Sequence, residues 1–230
     1  MKLNKIHIWL SIVLVIVLAG FWPSYLAKPL QVPFRLHVHG ITATLWFILL
    51  IIQPYLYSKK NIQLHRKIGK FSLILAGGVI ASAVLMIPHL YNSSFSSEVV
   101  REIILADVTN TTGFAFSVCM AMVNYKDAQI HARWMITTAF WPLKPALARL
   151  LYHIFGANGI DLYFNDPALV LISFTLLLLI MRDYVKEKKI YASYAFVFIT
   201  CLLLLILSDY ISNAYWWESL TDSIFKPASR

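Results

Sequence analysis

Residues 131–153 read HARWMITTAFWPLKPALARLLYH, and whether this stretch crosses a membrane decides the fold of the chain. It is apolar over most of its length, yet it carries Lys144 between Pro142 and Pro145. Its terminal histidines, His131 and His153, would stand about 33 Å apart along a helix, at opposite membrane edges. A helix needs roughly 17–25 mostly apolar residues to span the hydrocarbon, and the window 129–155 supplies them. The two prolines lack backbone donors and predict a kink, freeing carbonyls that must be satisfied inside the protein or by water.

Working outward, windows of the same kind cover 5–27, 35–57, 66–91, 98–123, 166–185 and 190–216. The connectors KPLQVP, SKKNIQLH, NSSFSS, NYKDA, GANGIDLYFN and VKEKK are short, so successive helices are expected to run antiparallel in one domain. The expectation is an all-α, polytopic membrane bundle of seven transmembrane helices over 1–216, with 217–230 as an interfacial or disordered tail. Composition agrees: 59% of residues are hydrophobic, 13% charged, and the mean hydropathy is +0.68, outside the range of a soluble domain. The basic start and apolar run of residues 1–21 resemble a signal peptide, but no small-x-small site follows, so this segment reads as a retained first helix.

The net charge of +9 does not indicate nucleic-acid binding, because the cations sit in short loops beside apolar segments, where they set orientation. Lys59, Lys60, Arg66, Lys67, Lys70, Lys126, Arg133, Arg182, Lys186, Lys188 and Lys189 fall on the side of Lys2 and Lys5. That asymmetry predicts a cytoplasmic N-terminus and an outside C-terminus. Cys119 and Cys201 lie in apolar segments without C-x-x-C spacing and read as packing residues. There is no P-loop, G-x-G-x-x-G, H-E-x-x-H or G-x-S-x-G motif.

Polar side chains at membrane depth carry the functional information. The stretch ADVTNTTGFAF, 106–116, places Asp107, Asn110 and Thr111 on one helix face by i, i+3, i+4 spacing. Asp107 and Lys144 fall at similar depth, so they are expected to pair directly or through water, lining an interior cavity with Arg149 and Trp141. Interhelical packing bonds are the plainer account of the Thr and Asn residues. The histidines form a second constellation: His37, His39, His89 and His153 near the outer side, with Asp161 and Asp166 close by, and His65 and His131 on the inner side. Imidazoles from separate helices are what a bis-histidine haem or a zinc, copper or iron site uses. His7 stands apart.

LHRKIGKFSLILAGGVIASAVL (64–85) and KDAQIHARWMITTAFWPLKPALARLL (126–151) resemble a family of bacterial multi-span proteins catalogued as domain of unknown function 2306. The matching positions are His65, Arg66 and Gly69, then His131, Arg133, Trp134, Met135 and Arg149, over roughly the central hundred residues. FRLHVHGITATLWFILLIIQPYLY (34–57) looks like the helix that often precedes this core. The resemblance implies a bacterial inner-membrane protein and supplies no reaction. Histidines at both ends of adjacent helices are loosely similar to b-type membrane cytochromes.

Three functions are compatible with these readings. One is a haem- or metal-binding redox or electron-transfer protein, with haem b, Zn, Cu or Fe on the histidines and protons or a quinone at the polar centre. Another is a binding or transport protein for a small anionic or amphiphilic ligand held by Lys144, Arg149, Asp107, Asn110 and Thr111, with Trp46, Trp134 and Trp141 packing its apolar part. The third is an accessory subunit of a larger membrane complex.

Overall fold

Hydrophobic windows become helices throughout. The computed structural model describes residues 5–88, 96–156 and 165–225, and no strand occurs among them. The helices are α1 (Ile6–Phe21), α2 (Phe34–Ser58), α3 (Ile62–Val84), α4 (Ser97–Val123), α5 (Ala128–Thr137), α6 (Phe140–Phe155), α7 (Asn165–Glu187), α8 (Ala192–Ser212) and α9 (Tyr215–Phe225). A π turn, Trp22–Leu26, extends α1. Asn61 caps α3 by accepting from the Leu64 amide at 3.3 Å, and Asp127 caps α5 by accepting from Gln129 and Ile130 at 2.9 and 3.1 Å, satisfying donors that a helix start leaves orphaned.

The helices close a ring in the spatial order α1, α2, α3, α4, α8, α7, α6, while α5 packs on α4 and α8. The basic loops 59–60 and 188–189 lie at one end, here called the basic end; the starts of α2 and α4 and the ends of α6 and α8 form the distal end. Trp46, Phe47, Phe114, Trp141, Leu169, Leu176, Tyr194 and Val197 fill the core. Val15, Phe71, Ile74 and Ile206 point outward and are more than half exposed, an apolar surface suited to lipid.

Six helices, α1 with its π turn, α2, α3, α4, α7 and α8, are long and apolar enough to cross a membrane. The window 129–155 differs from expectation: it is not one kinked helix but two, broken at Thr138 and Ala139. Pro142 locates the break. Its missing N–H is the donor that would have reached the Thr138 carbonyl in a continuous helix. The backbone instead tightens, with Thr138 and Ala139 amides donating three residues back to Met135 and Ile136 at 3.3 and 3.1 Å.

A buried charge cluster fixes α5 in place. The Arg133 side chain is fully buried; its Nε donates to Asp183 at 2.7 Å and its Nη2 to Glu187 at 2.9 Å. Its guanidinium stacks 3.5 Å above the Tyr191 ring, and Tyr191 in turn donates to Glu187 at 2.6 Å. That bond holds the phenol proton and pushes Tyr191 above the usual tyrosine range. At the distal end α9 lies on α4 and α8. Arg101 donates to the Ser212 carbonyl and to Glu218 at 3.2 and 3.0 Å, and Trp217 donates to the Arg101 carbonyl at 3.1 Å. Trp217 is thus turned inward, whereas Trp216 stays 57% exposed.

Helices α1 and α6 approach most intimately at Gly20, where any Cβ would overlap the Ala146 carbonyl. Because that obstacle is backbone, the helices must separate to admit a side chain. Gly20→Val is expected to cost about 1–3 kcal/mol as an overpacking defect, measured as a lowered unfolding midpoint in detergent, while Gly77→Ala, with nothing within 4 Å of its Cβ position, is expected to be silent.

Candidate functional site

The α4 stretch 107–112 divides into two faces with different hydrogen bonding. Thr109 and Thr112 donate to the carbonyls of Leu105 and Val108, one turn back on their own helix, at 2.8 and 2.7 Å. Among the described residues, the side chains of Asp107, Asn110 and Thr111 make no hydrogen bond or ion pair, and all three are only partly buried. They are polar groups on an apolar helix that the protein itself leaves unsatisfied.

Lys144 is in the same position on α6. It is 6% exposed, yet among the described residues its ammonium has no hydrogen bond and no ion pair. It stands about 16 Å from the C-terminal end of α6, and Asp107 about 15 Å from the N-terminal end of α4, at the standard rise, so both sit at mid-depth below the distal end. They act on each other electrostatically without a direct ion pair, one of the two arrangements expected from sequence, the other being a contact through water. The stronger fields are rearranged: Arg149 acts most on Asp107, and Glu102 acts most on Lys144. Asp166, exposed at the start of α7, also lies in the field of Lys144. Arg149 is tethered on α6 by its bond to the Pro145 carbonyl, 2.9 Å, and by the Phe21 ring 4.8 Å away.

Below this charged cluster aromatic rings fill the bundle. Trp141 donates its indole N–H to Ser117 at 2.9 Å, and Trp46 donates to Thr138 at 3.0 Å while its ring meets Phe114 edge-on. Gly113 makes room for this packing, since a Cβ there would run into the Trp141 ring. The arrangement groups two cations and three carboxylates within one another's fields, with the Trp141 and Trp46 rings packed on the basic-end side of Lys144.

The three described distal histidines, His37, His39 and His153, have separate surroundings. His37 uses both ring nitrogens, on the Tyr25 hydroxyl at 2.9 Å and the Pro29 carbonyl at 3.0 Å. His39 bonds Ser82 at 3.1 Å, tying α2 to α3, and His153 is exposed beside Tyr152. His89 and Asp161 lie outside the described residues. No group of three His, Cys, Asp or Glu side chains able to hold a metal ion exists among the described residues. The basic-end pair is different. His65 and His131 each turn Nδ1 to a backbone carbonyl, of Gln53 at 3.3 Å and of Ala121 at 2.8 Å, leaving both Nε2 atoms without a hydrogen bond, and the two rings lie within each other's field.

Sequence reasoning missed Glu102 in the central cluster and Asp183, Glu187 and Tyr191 around Arg133. The second group was detectable in part: Asp183 and Glu187, four positions apart, share one helix face, while Tyr191 lies beyond the end of α7. Comparison with protein-family models, with curated proteins and with solved structures gave no match to this chain.

Proposed function

We propose that this chain is a multi-pass protein of a bacterial inner membrane that binds a small anionic or amphiphilic molecule between α4 and α6. In this reading α5 and α6 together make a seventh, broken crossing, with the N-terminus cytoplasmic, an orientation supported by the excess of Lys and Arg at the basic end. The observation that carries it is Lys144, a buried ammonium with no protein partner among the described residues. An intramembrane ammonium that no carboxylate contacts directly costs free energy that packing does not return, which supports a ligand at that place. Arg149 adds a second cation, Asn110 and Thr111 offer free hydrogen-bonding groups, and Trp141 walls the apolar side. Alkyl carboxylates and alkyl phosphates are expected to raise the unfolding midpoint of the detergent-solubilised protein, and Lys144→Met to abolish the shift. A shift of equal size in that variant overturns the assignment.

A second reading, a bis-histidine haem or metal protein, draws support from His65 and His131 alone. Nδ1 bonded to a carbonyl fixes the tautomer that leaves Nε2 free to ligate. An absorption spectrum with elemental analysis on purified protein is expected to show a Soret band or stoichiometric metal, lost in His65→Ala; colourless, metal-free protein rejects this reading.

A further inference from the structure

A groove opens on the side of the bundle. It occupies about 310 Å³ between α4, α6 and α8 and is lined by Thr109, Thr112, Phe116, Trp141, Phe196 and Thr200, with Gly113 at its back. These residues fall in the middle of α4 and the first half of α8, inside the apolar span of each, so the opening faces the hydrocarbon rather than either membrane surface. Its floor is aromatic: Phe116 and Phe196 have ring centroids 4.7 Å apart, and Trp141 lies 5.9 Å from Phe196.

The polar groups of this groove are all of one kind. Thr109, Thr112 and Thr200 commit their hydroxyl protons to helix carbonyls at 2.8, 2.7 and 2.9 Å. The Trp141 N–H is likewise taken, by Ser117. What remains is three hydroxyl oxygens with lone pairs to offer, ring faces, no free donor and no charge. A ligand complementary to that lining arrives through the lipid, is uncharged, presents a planar ring to the aromatic floor and donates hydrogen bonds to the threonine oxygens.

We infer that this groove binds a lipid-soluble hydroquinone, an aromatic diol carrying an apolar tail, in preference to the corresponding quinone. The quinone has only acceptors and would meet acceptors. Threonines of this kind often bond their own helix merely to hide a hydroxyl in lipid, but three of them, from two helices, converge here on one aromatic cleft. The inference does not rest on the anion site: the two share the Trp141 ring, but the groove uses neither Lys144 nor Asp107.

The test is anaerobic equilibrium binding of radiolabelled decyl hydroquinone to the full chain in phosphatidylcholine nanodiscs. Saturable binding is expected, at least about tenfold tighter than decyl quinone, since two or more donated hydrogen bonds separate them. Thr112→Phe, at an exposed position, fills the mouth and is expected to abolish binding. Thr109→Val combined with Thr200→Val, which keeps shape, is expected to weaken binding about tenfold, and Gly77→Ala, on α3 with open space at its Cβ position, to leave it unchanged. Equal affinity for both redox forms, equal competition by decanol, or undiminished binding in either groove variant overturns the inference.

Discussion

Arg133→Ala is expected to lower the unfolding free energy by about 3–5 kcal/mol, read as a large fall in the unfolding midpoint in detergent. One buried and one partly exposed acidic partner produce this size. Asp183 is 3% exposed and would be left as an uncompensated carboxylate in a low-dielectric interior, a far larger penalty than the loss of the bond itself. Glu187 would keep its bond from Tyr191 and so contribute less. The guanidinium also fills space against the Tyr191 ring, which alanine leaves empty. Combining Arg133→Met with Asp183→Leu is expected to recover most of the loss, because well-packed apolar pairs often match a buried ion pair. If the double variant is no more stable than Arg133→Ala, the cluster has a role other than locking α5 to α7 and α8.

That cluster shows which parts of the molecule the sequence discloses. Long apolar windows between basic loops are a strong signal, and α2, α4 and α7 begin and end within two residues of theirs. Helix α3 starts at Ile62, four residues before its window, because a capping Asn and interfacial cations are tolerated at a membrane edge while lowering local hydropathy. Pro142 and Pro145 mark an interruption, but whether a proline bends a helix or begins a new one depends on what holds the two halves. Here Arg133 anchors the first half and Gly20 admits the second against α1, contacts between segments remote in sequence. Asp107 and Lys144 announce a polar interior by their types and depth alone. Whether they touch was not legible, since that depends on how packing turns α4 and α6, and other charges, Arg149 on Asp107 and Glu102 on Lys144, also act on them.

Lys144→Met is expected to stabilise the ligand-free protein by about 1–3 kcal/mol, the opposite sign to Arg133→Ala. Methionine fills nearly the same volume without an ammonium to desolvate, and among the described residues no ion pair is broken by the change. Were Lys144 a structural partner of Asp107, the same substitution would strand a carboxylate and destabilise the fold. The double variant Asp107→Asn with Lys144→Met separates these cases: effects that add within about 0.5 kcal/mol describe groups that feel each other only weakly, and a larger coupling describes a pair. A substitution that raises the midpoint while removing the response to alkyl phosphate identifies Lys144 as a residue kept at the expense of stability, which is the expected behaviour of a binding group and not of a helix-packing one.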